Sequence, residues 1–311
     1  MIVVLAGGVG AARFLRGAVR VVPPEEITVI GNTGDDIDIY GVHVSPDLDI
    51  VTYMLGGVFD EQRGFGLIGD SHVAMDQLAA LSEEIWFALG DRDLEVCRVR
   101  TAWLTAGVTP SESAARIAAR FDVRVRLLPM TDDRVHTVIE TDDGPLHFQE
   151  YWVKHRAAVA ATAVRLHGVE DARPAPGVLD AIADADVVLL APSNPVVSIG
   201  TILQITGIRD ALRATRAPVV AVSPIVGGRV VRGMADKLLP VTGAEVSARG
   251  VAGLYADFLD GFVIDEADEH LAHAIEELGI TVEVTQTMMH TPEDAAALAK
   301  RTIDLAERLR A

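Results

Sequence analysis

The strongest constraint on this fold is a series of short, unbroken apolar runs, each followed by a turn and a helical pattern. The runs are IVVL (2–5), ITVI (27–30), VVLLAP (187–192), APVVAVSP (217–224), FVID (262–265) and VEVT (282–285). A strand with no polar alternation has to be covered on both faces, which is the pattern of a parallel sheet between helical layers. Helical patterns follow the first run and cover residues 71–90, 111–121, 201–215, 244–258 and 267–278, and EDAAALAKRTIDLAERLR closes the chain. Between residues 123 and 153 three strand-like pieces, VRVRLLP, VHTVIET and LHFQEYWV, surround a TDDG turn and predict a small antiparallel unit. The expected fold is α/β: a Rossmann-like, doubly wound, mostly parallel sheet built from residues 1–55 and 175–311. Residues 56–174 form an inserted helical and antiparallel region.

Charge and cysteine usage narrow the partners. The 311 residues carry a formal charge of −18. That disfavours nucleic acid, whose phosphates need a basic face, but leaves room for a small phosphorylated ligand held by a few local cations. The single cysteine, Cys97, forms no intramolecular disulfide, and one cysteine does not make a cysteine-based zinc site. The opening MIVVLAGGVG has no basic segment and reads as a buried strand, and no run approaches the ~18 apolar residues of a membrane span. A cytoplasmic protein with no membrane partner is expected.

AGGVGAARF, directly after the first strand, is a glycine turn opening a helix. Gly7, Gly8 and Gly10 let backbone and ligand approach closely, and the helix N-terminus favours an anion. The third glycine of a dinucleotide fingerprint is replaced by Arg13, and no G-K-[ST] occurs, so a nicotinamide dehydrogenase and a P-loop NTPase are both disfavoured. The stretch GNTGDDIDIYGVHVSPDLD (31–49) follows the second strand and holds five aspartates without a lysine or arginine. Ligands sit beyond the carboxyl ends of parallel strands. Asp35 or Asp36 is therefore placed to meet a ribose hydroxyl, while the spread of Asp35, Asp36, Asp38, Asp47 and Asp49 favours a divalent cation such as Mg²⁺.

Two later loops repeat a layout of strand, hydroxyls and helix start. LLAPSNPVVSIG offers Ser193, Asn194 and Ser198, and AVSPIVGG offers Ser223; both suit a phosphate. LGDRD sets Arg92 between two aspartates, which is either a ligand arginine or a surface ion pair. Alternation in HFQEYWV puts His147, Gln149 and Tyr151 on one face of a half-buried strand. No H-E-x-x-H or G-x-S-x-G is present, so zinc and serine hydrolases are not expected.

Taken together and in order, GGVGAARFL, NTGDD, SPDLD, LGDRDL, LLPMTDD, HFQEYWV, APSNPVVSIG and AVSPIVGG resemble the 2-phospho-L-lactate transferase family of coenzyme F-420 biosynthesis, from residue 1 to about 265. The resemblance implies a Mg²⁺-dependent, usually dimeric enzyme. Such an enzyme moves a phosphorylated three-carbon acid from a guanosine pyrophosphate-linked donor to the ribityl hydroxyl of the deazaflavin Fo, releasing GMP. GGVGAARFL is closer to the bacterial type, which transfers the phosphoenolpyruvyl group. Carried onto this chain, the resemblance makes Asp49 and Arg92 acceptor-binding residues. Asp35 and Asp49 become the catalytic and metal-holding pair, with Asp36 and Asp47 in support. Ser193, Asn194 and Ser198 fall to the donor, and the inserted region completes the acceptor site. Relatives commonly carry an aromatic residue where this chain has Ile37-Asp38-Ile39. The alternative is a nucleotide-sugar-binding regulator of a related family with a similar opening.

Overall fold

The computed structural model describes residues 1–81 and 84–310. Seven strands form the central sheet: β1 (Ile2–Ala6), β2 (Ile27–Gly31), β3 (Arg126–Pro129), β4 (Val187–Leu190), β5 (Val219–Val222), β6 (Gly261–Ile264) and β7 (Thr281–Val284). Their order is β7-β6-β5-β4-β1-β2-β3, and every pairing is parallel. The apolar runs of β1, β2, β4, β5 and β6 are buried along their length as their composition requires, while edge strand β7 is only partly covered. On β1, Val3 and Leu5 join one core, while Ile2, Val4 and Ala6 join the other. The α/β, Rossmann-like expectation is met. The division at residues 55 and 175 cuts across the sheet, because edge strand β3 comes from inside the 56–174 segment and pairs with β2.

Several local expectations are corrected. The helix read over 71–90 covers only Val73–Ala80, residues 82–83 lie outside the described part, and residues 84–90 are not helical. There the backbone N–H groups of Trp86 and Phe87 donate to the Tyr40 hydroxyl at 3.1 Å instead of to a helical carbonyl. Residues 201–215 break into Ile199–Gln204 and Ile208–Ala214 around Gly207, whose φ of 92° a continuous helix cannot contain. LHFQEYWV is not one strand. Pairing ends at His147 and the chain winds into a wide helical turn over Glu150–Lys154, so the expected alternation of faces fails. The antiparallel unit is completed by Ala161–His167, a strand the sequence reading did not single out.

The acidic stretch after β2 is also structured. Ile37–Ile39 and Val42–Val44 form a hairpin through Tyr40 and Gly41, with φ of 53° and 78°. Helix α1 (Gly8–Ala18) follows β1, and α2 (Pro46–Leu55) follows the hairpin.

Helix α1 packs against the C-terminal helix Pro292–Arg310 closely enough that a Cβ on Gly17 would lie 2.2 Å from the carbonyl of Ala295. A Cβ on Gly253, in the helix Ala248–Tyr255, would meet nothing within 4 Å. Gly17→Ala should therefore lose about 1–3 kcal/mol by overpacking. Gly253→Ala should gain roughly 0.5–1 kcal/mol from helix propensity. Urea unfolding of both variants checks the pair.

Candidate active site

The strand order reverses between β1 and β4, which is where a doubly wound sheet opens a crevice at its carboxyl edge. A cavity of ≈ 450 Å³ lies there. Its floor is the glycine turn after β1 and the loops after β4 and β5. Its far wall comes from α2, residues 86–89 and residues 148–153.

Helix α2 explains how SPDLD serves this cavity. Pro46 starts the helix, so Asp47 and Asp49 fall in its first turn. Two residues apart on a helix is about 200° of rotation, so the two side chains leave on opposite sides. Asp47 turns to the glycine turn. Its carboxylate accepts from the Asn32 amide at 2.9 Å and lies against Gly7 and Gly8. Burial, opposed by the Asn32 bond, pushes its pKa up to about 7. Asp35 stands beside it, also buried. Burial and then the charge of Asp47 raise its pKa well above the ordinary carboxylate range.

Asp49 turns the other way. It accepts from the guanidinium of Arg100 in a pair buried on both sides. Burial raises its pKa, and Arg100 partly offsets that rise. Next to it, Asp93 accepts from the Tyr53 hydroxyl at 2.7 Å. Burial and the neighbouring Asp49 push Asp93 up to about 7. Ligand atoms of Asp49, Asp93 and Cys97 lie within 4.8 Å of one another. Burial keeps the Cys97 thiol protonated at neutral pH, so the oxygens are the usable donors.

The residues fit a hard cation. Asp35 Oδ1 and Asp49 Oδ2 are both buried and have no hydrogen-bond partner. Such oxygens cost at least about 1–3 kcal/mol each unless something positive meets them, and carboxylate oxygens are what Mg²⁺ takes. Asp35, Asp47, Asp49 and Asp93 all line the one cavity, but in two groups, Asp35 with Asp47 and Asp49 with Asp93.

Gly7, Gly8, Gly10, Ser193, Asn194, Ser198 and Ser223 all line the cavity as expected of anion loops, but much of their hydrogen bonding is spent inside the chain. Ser193 Oγ accepts from the Gly7 N–H at 3.2 Å, and Asn194 Oδ1 accepts from Val196 and Val197 at 2.9 and 3.2 Å. Ser223 closes its own turn with Ile225. A Cβ on Gly7 would lie 2.5 Å from Asp47 Oδ2 and one on Gly10 2.3 Å from the Pro192 carbonyl, so chain atoms already require these two glycines.

Arg92 does not line the cavity. Its side chain is exposed and donates to the Ile68 carbonyl at 3.2 Å, while its backbone N–H donates to the capping carboxylate of Asp70. Asp93, its neighbour in LGDRD, faces the cavity instead. Asp36 is bonded by Ser45 and His43, and Asp38 pairs with His43 and Arg134, so both are engaged by side chains in and around the hairpin. Asn32, Tyr53, Asp93 and Arg100 were not picked out from sequence. Asp93, Cys97 and Arg100 are nevertheless spaced i, i+4, i+7, and they form the buried face of the helix Asp91–Thr105.

The raised pKa values of Asp47 and Asp93 set a pH dependence. With folded values near 7 against an ordinary 3.8, the metal-free folded state binds more protons than the unfolded chain between about pH 4 and 7. Stability is highest below that window and falls as pH rises through it. Melting temperature measured with a chelator should drop between pH 5.5 and 8, and Asp93→Asn should flatten the drop. An unchanged slope in that variant contradicts the placement of Asp93.

The family model for 2-phospho-L-lactate transferase CofD matches residues 2–303. A phosphoenolpyruvate transferase of Kitasatospora aureofaciens is 50% identical over 99% of this chain and 98% of its own length. Those of Streptomyces griseus and Mycolicibacterium smegmatis are 49% and 43% identical, over 100% and 98% of the chain and 99% and 98% of their own lengths. A crystal structure of a upf0052 family member from Bacillus halodurans superposes with a TM-score of 0.65 at 15% identity, covering 97% of this chain and 98% of that one, which shows the shared fold. No helix among the described residues is long and apolar enough to cross a membrane. The chain belongs to the 2-phospho-L-lactate transferase CofD family, enzymes of coenzyme F-420 biosynthesis.

Proposed function

We propose that this enzyme transfers a phosphoenolpyruvyl group from a guanosine pyrophosphate-linked donor to the ribityl hydroxyl of Fo, releasing GMP. The hydroxyl oxygen bonds to the phosphorus of the three-carbon acid as the anhydride P–O bond to GMP breaks. The names of relatives about 50% identical to this chain support the choice of phosphoenolpyruvate. The observation that carries the chemistry is the pair of unpartnered, buried carboxylate oxygens on Asp35 and Asp49 in the cavity.

Mg²⁺ at the unpartnered oxygens of Asp35 and Asp49, one in each carboxylate group, would neutralise charge gathering on the phosphate oxygens. Asp93, poised near neutrality and fixed by Tyr53, takes the hydroxyl proton. Trp86, Phe87, Phe148 and Trp152 on the far wall give the flat deazaflavin rings an apolar seat and keep water out. Arg100 keeps Asp49 oriented and ionised against the cost of burial. The enzyme works in the cytoplasm as a homodimer. The exposed apolar side chains of Ile68, Val73 and Leu81 offer surface for a dimer to bury.

Incubation with Fo, Mg²⁺ and each guanosine-linked three-carbon acid, followed by mass measurement, tests the reading. GMP with the phosphoenolpyruvyl diester is expected; no diester from any donor overturns it. Asp35→Asn should cut turnover about 10²-fold or more without lowering the metal-free melting temperature, because it removes a buried carboxyl that is costly to ionise. Near-normal turnover would remove Asp35 from the mechanism.

A further inference from the structure

We propose that Arg13 and Arg232 form a two-arginine clamp for the phosphoanhydride of a nucleoside diphosphate-type ligand; this rests on the functional reading above and specifies how its donor is held.

A phosphate at a glycine turn ordinarily binds the first N–H groups of the following helix. In this chain the Gly7 N–H is taken by Ser193 Oγ, and the Asp47 carboxylate lies directly against Gly7 and Gly8. The Asp47 carboxylate therefore sits as a built-in anion at the start of α1, against the place a phosphate would use. Asp35, Asp49 and Asp93 add further negative charge to the same cavity. A phosphoanhydride entering it needs cations of its own. The arginine and lysine side chains that line the cavity, among the described residues, are Arg13 and Arg232.

Each has unspent capacity. Arg13 Nε is buried and makes no hydrogen bond. Its nearest carboxylate oxygen belongs to Glu61, at 3.7 Å, and Glu61 is also bonded by Arg16. Arg232 pairs with no carboxylate among the described residues. Its Nη2 approaches the Gly64 carbonyl at 3.4 Å, and a Cβ on Gly64 would stand 2.2 Å from that nitrogen. Gly64 thus makes room for the guanidinium and fixes it.

The two arginines come from different elements and meet the same segment, Arg13 near Glu61 and Arg232 at Gly64. Arg13 is on α1, while Arg232 follows the Ile225–Val226 and Arg229–Val230 hairpin beyond β5. Burial, and then the charge of Arg13, push the pKa of Arg232 down, so the two guanidiniums repel one another. A phosphoanhydride resolves that repulsion, and its paired oxygens suit the planar guanidinium fork.

Calorimetric titration of GDP in Mg²⁺ tests the clamp, using wild type, Arg13→Gln and Arg232→Gln. Titration of Fo by its fluorescence serves as the control. Each variant should weaken GDP binding by about tenfold or more, as for losing a charged hydrogen bond. Each should also lower the salt dependence of GDP binding and leave Fo affinity within about twofold. Inorganic pyrophosphate should compete with GDP in wild type and lose most of that effect in both variants. If wild type binds GDP and the variants match it, the clamp is overturned and the functional reading stands. If wild type binds neither GDP nor Fo, the functional reading falls and the clamp falls with it.

Discussion

The site depends on one buried amide. Asn32 ends β2 with no exposed surface, and its side chain both donates twice and accepts twice. Its nitrogen donates to Asp47 and to the Val197 carbonyl at 2.9 and 3.2 Å; its oxygen accepts from the Gly34 N–H and the Thr201 hydroxyl at 2.8 and 2.7 Å. These bonds join the first turn of α2, the loop after β4, the helix behind that loop and the chain leading to Asp35. An amide with all four positions filled fixes a single arrangement, whereas a half-filled one would be costly at this depth. It brings Asp47 against the glycine turn and sets the floor of the cleft.

The far side is held by charge. Breaking the Asp49–Arg100 pair by removing one partner would leave an ion without compensation, typically a loss of about 3–5 kcal/mol. The pair does not satisfy the site, since Asp49 keeps an unpartnered oxygen and Asp93 crowds beside it. Four buried carboxylates in one cleft oppose stability, and a chain of charge −18 adds to the repulsion. Such strain at a strand-end cavity is the mark of a place arranged for ligands. The two cavity arginines carry the same cost in the opposite sign.

The sheet was legible because its signal is local: an unbroken apolar run needs cover on both faces wherever it falls. The site was legible only in part. Glycines 7, 8 and 10 and serines 193, 198 and 223 do gather at the cleft, yet their spacing could not show that Ser193 takes the Gly7 N–H and that Asp47 packs against the glycine turn. SPDLD read as an acid run; as a helix start it throws Asp47 and Asp49 to opposite sides, a result of 3.6-residue periodicity that composition hides. LGDRD pointed to Arg92, but Asp70, over twenty residues upstream, caps that helix and leaves Asp93 facing inward. Arg100 matters through its partner on α2, and pairings between distant segments leave no trace in one sequence.

The central claim is that the buried carboxylates of this cleft hold a divalent cation against the donor. Crystals grown with Mn²⁺ and a nucleoside diphosphate, measured for anomalous scattering, test it directly. The account predicts an ion in contact with Asp35 or Asp49, or one at each, and with a phosphate oxygen. An ion bound elsewhere, or no ion at saturating Mn²⁺ with nucleotide in place, would contradict it.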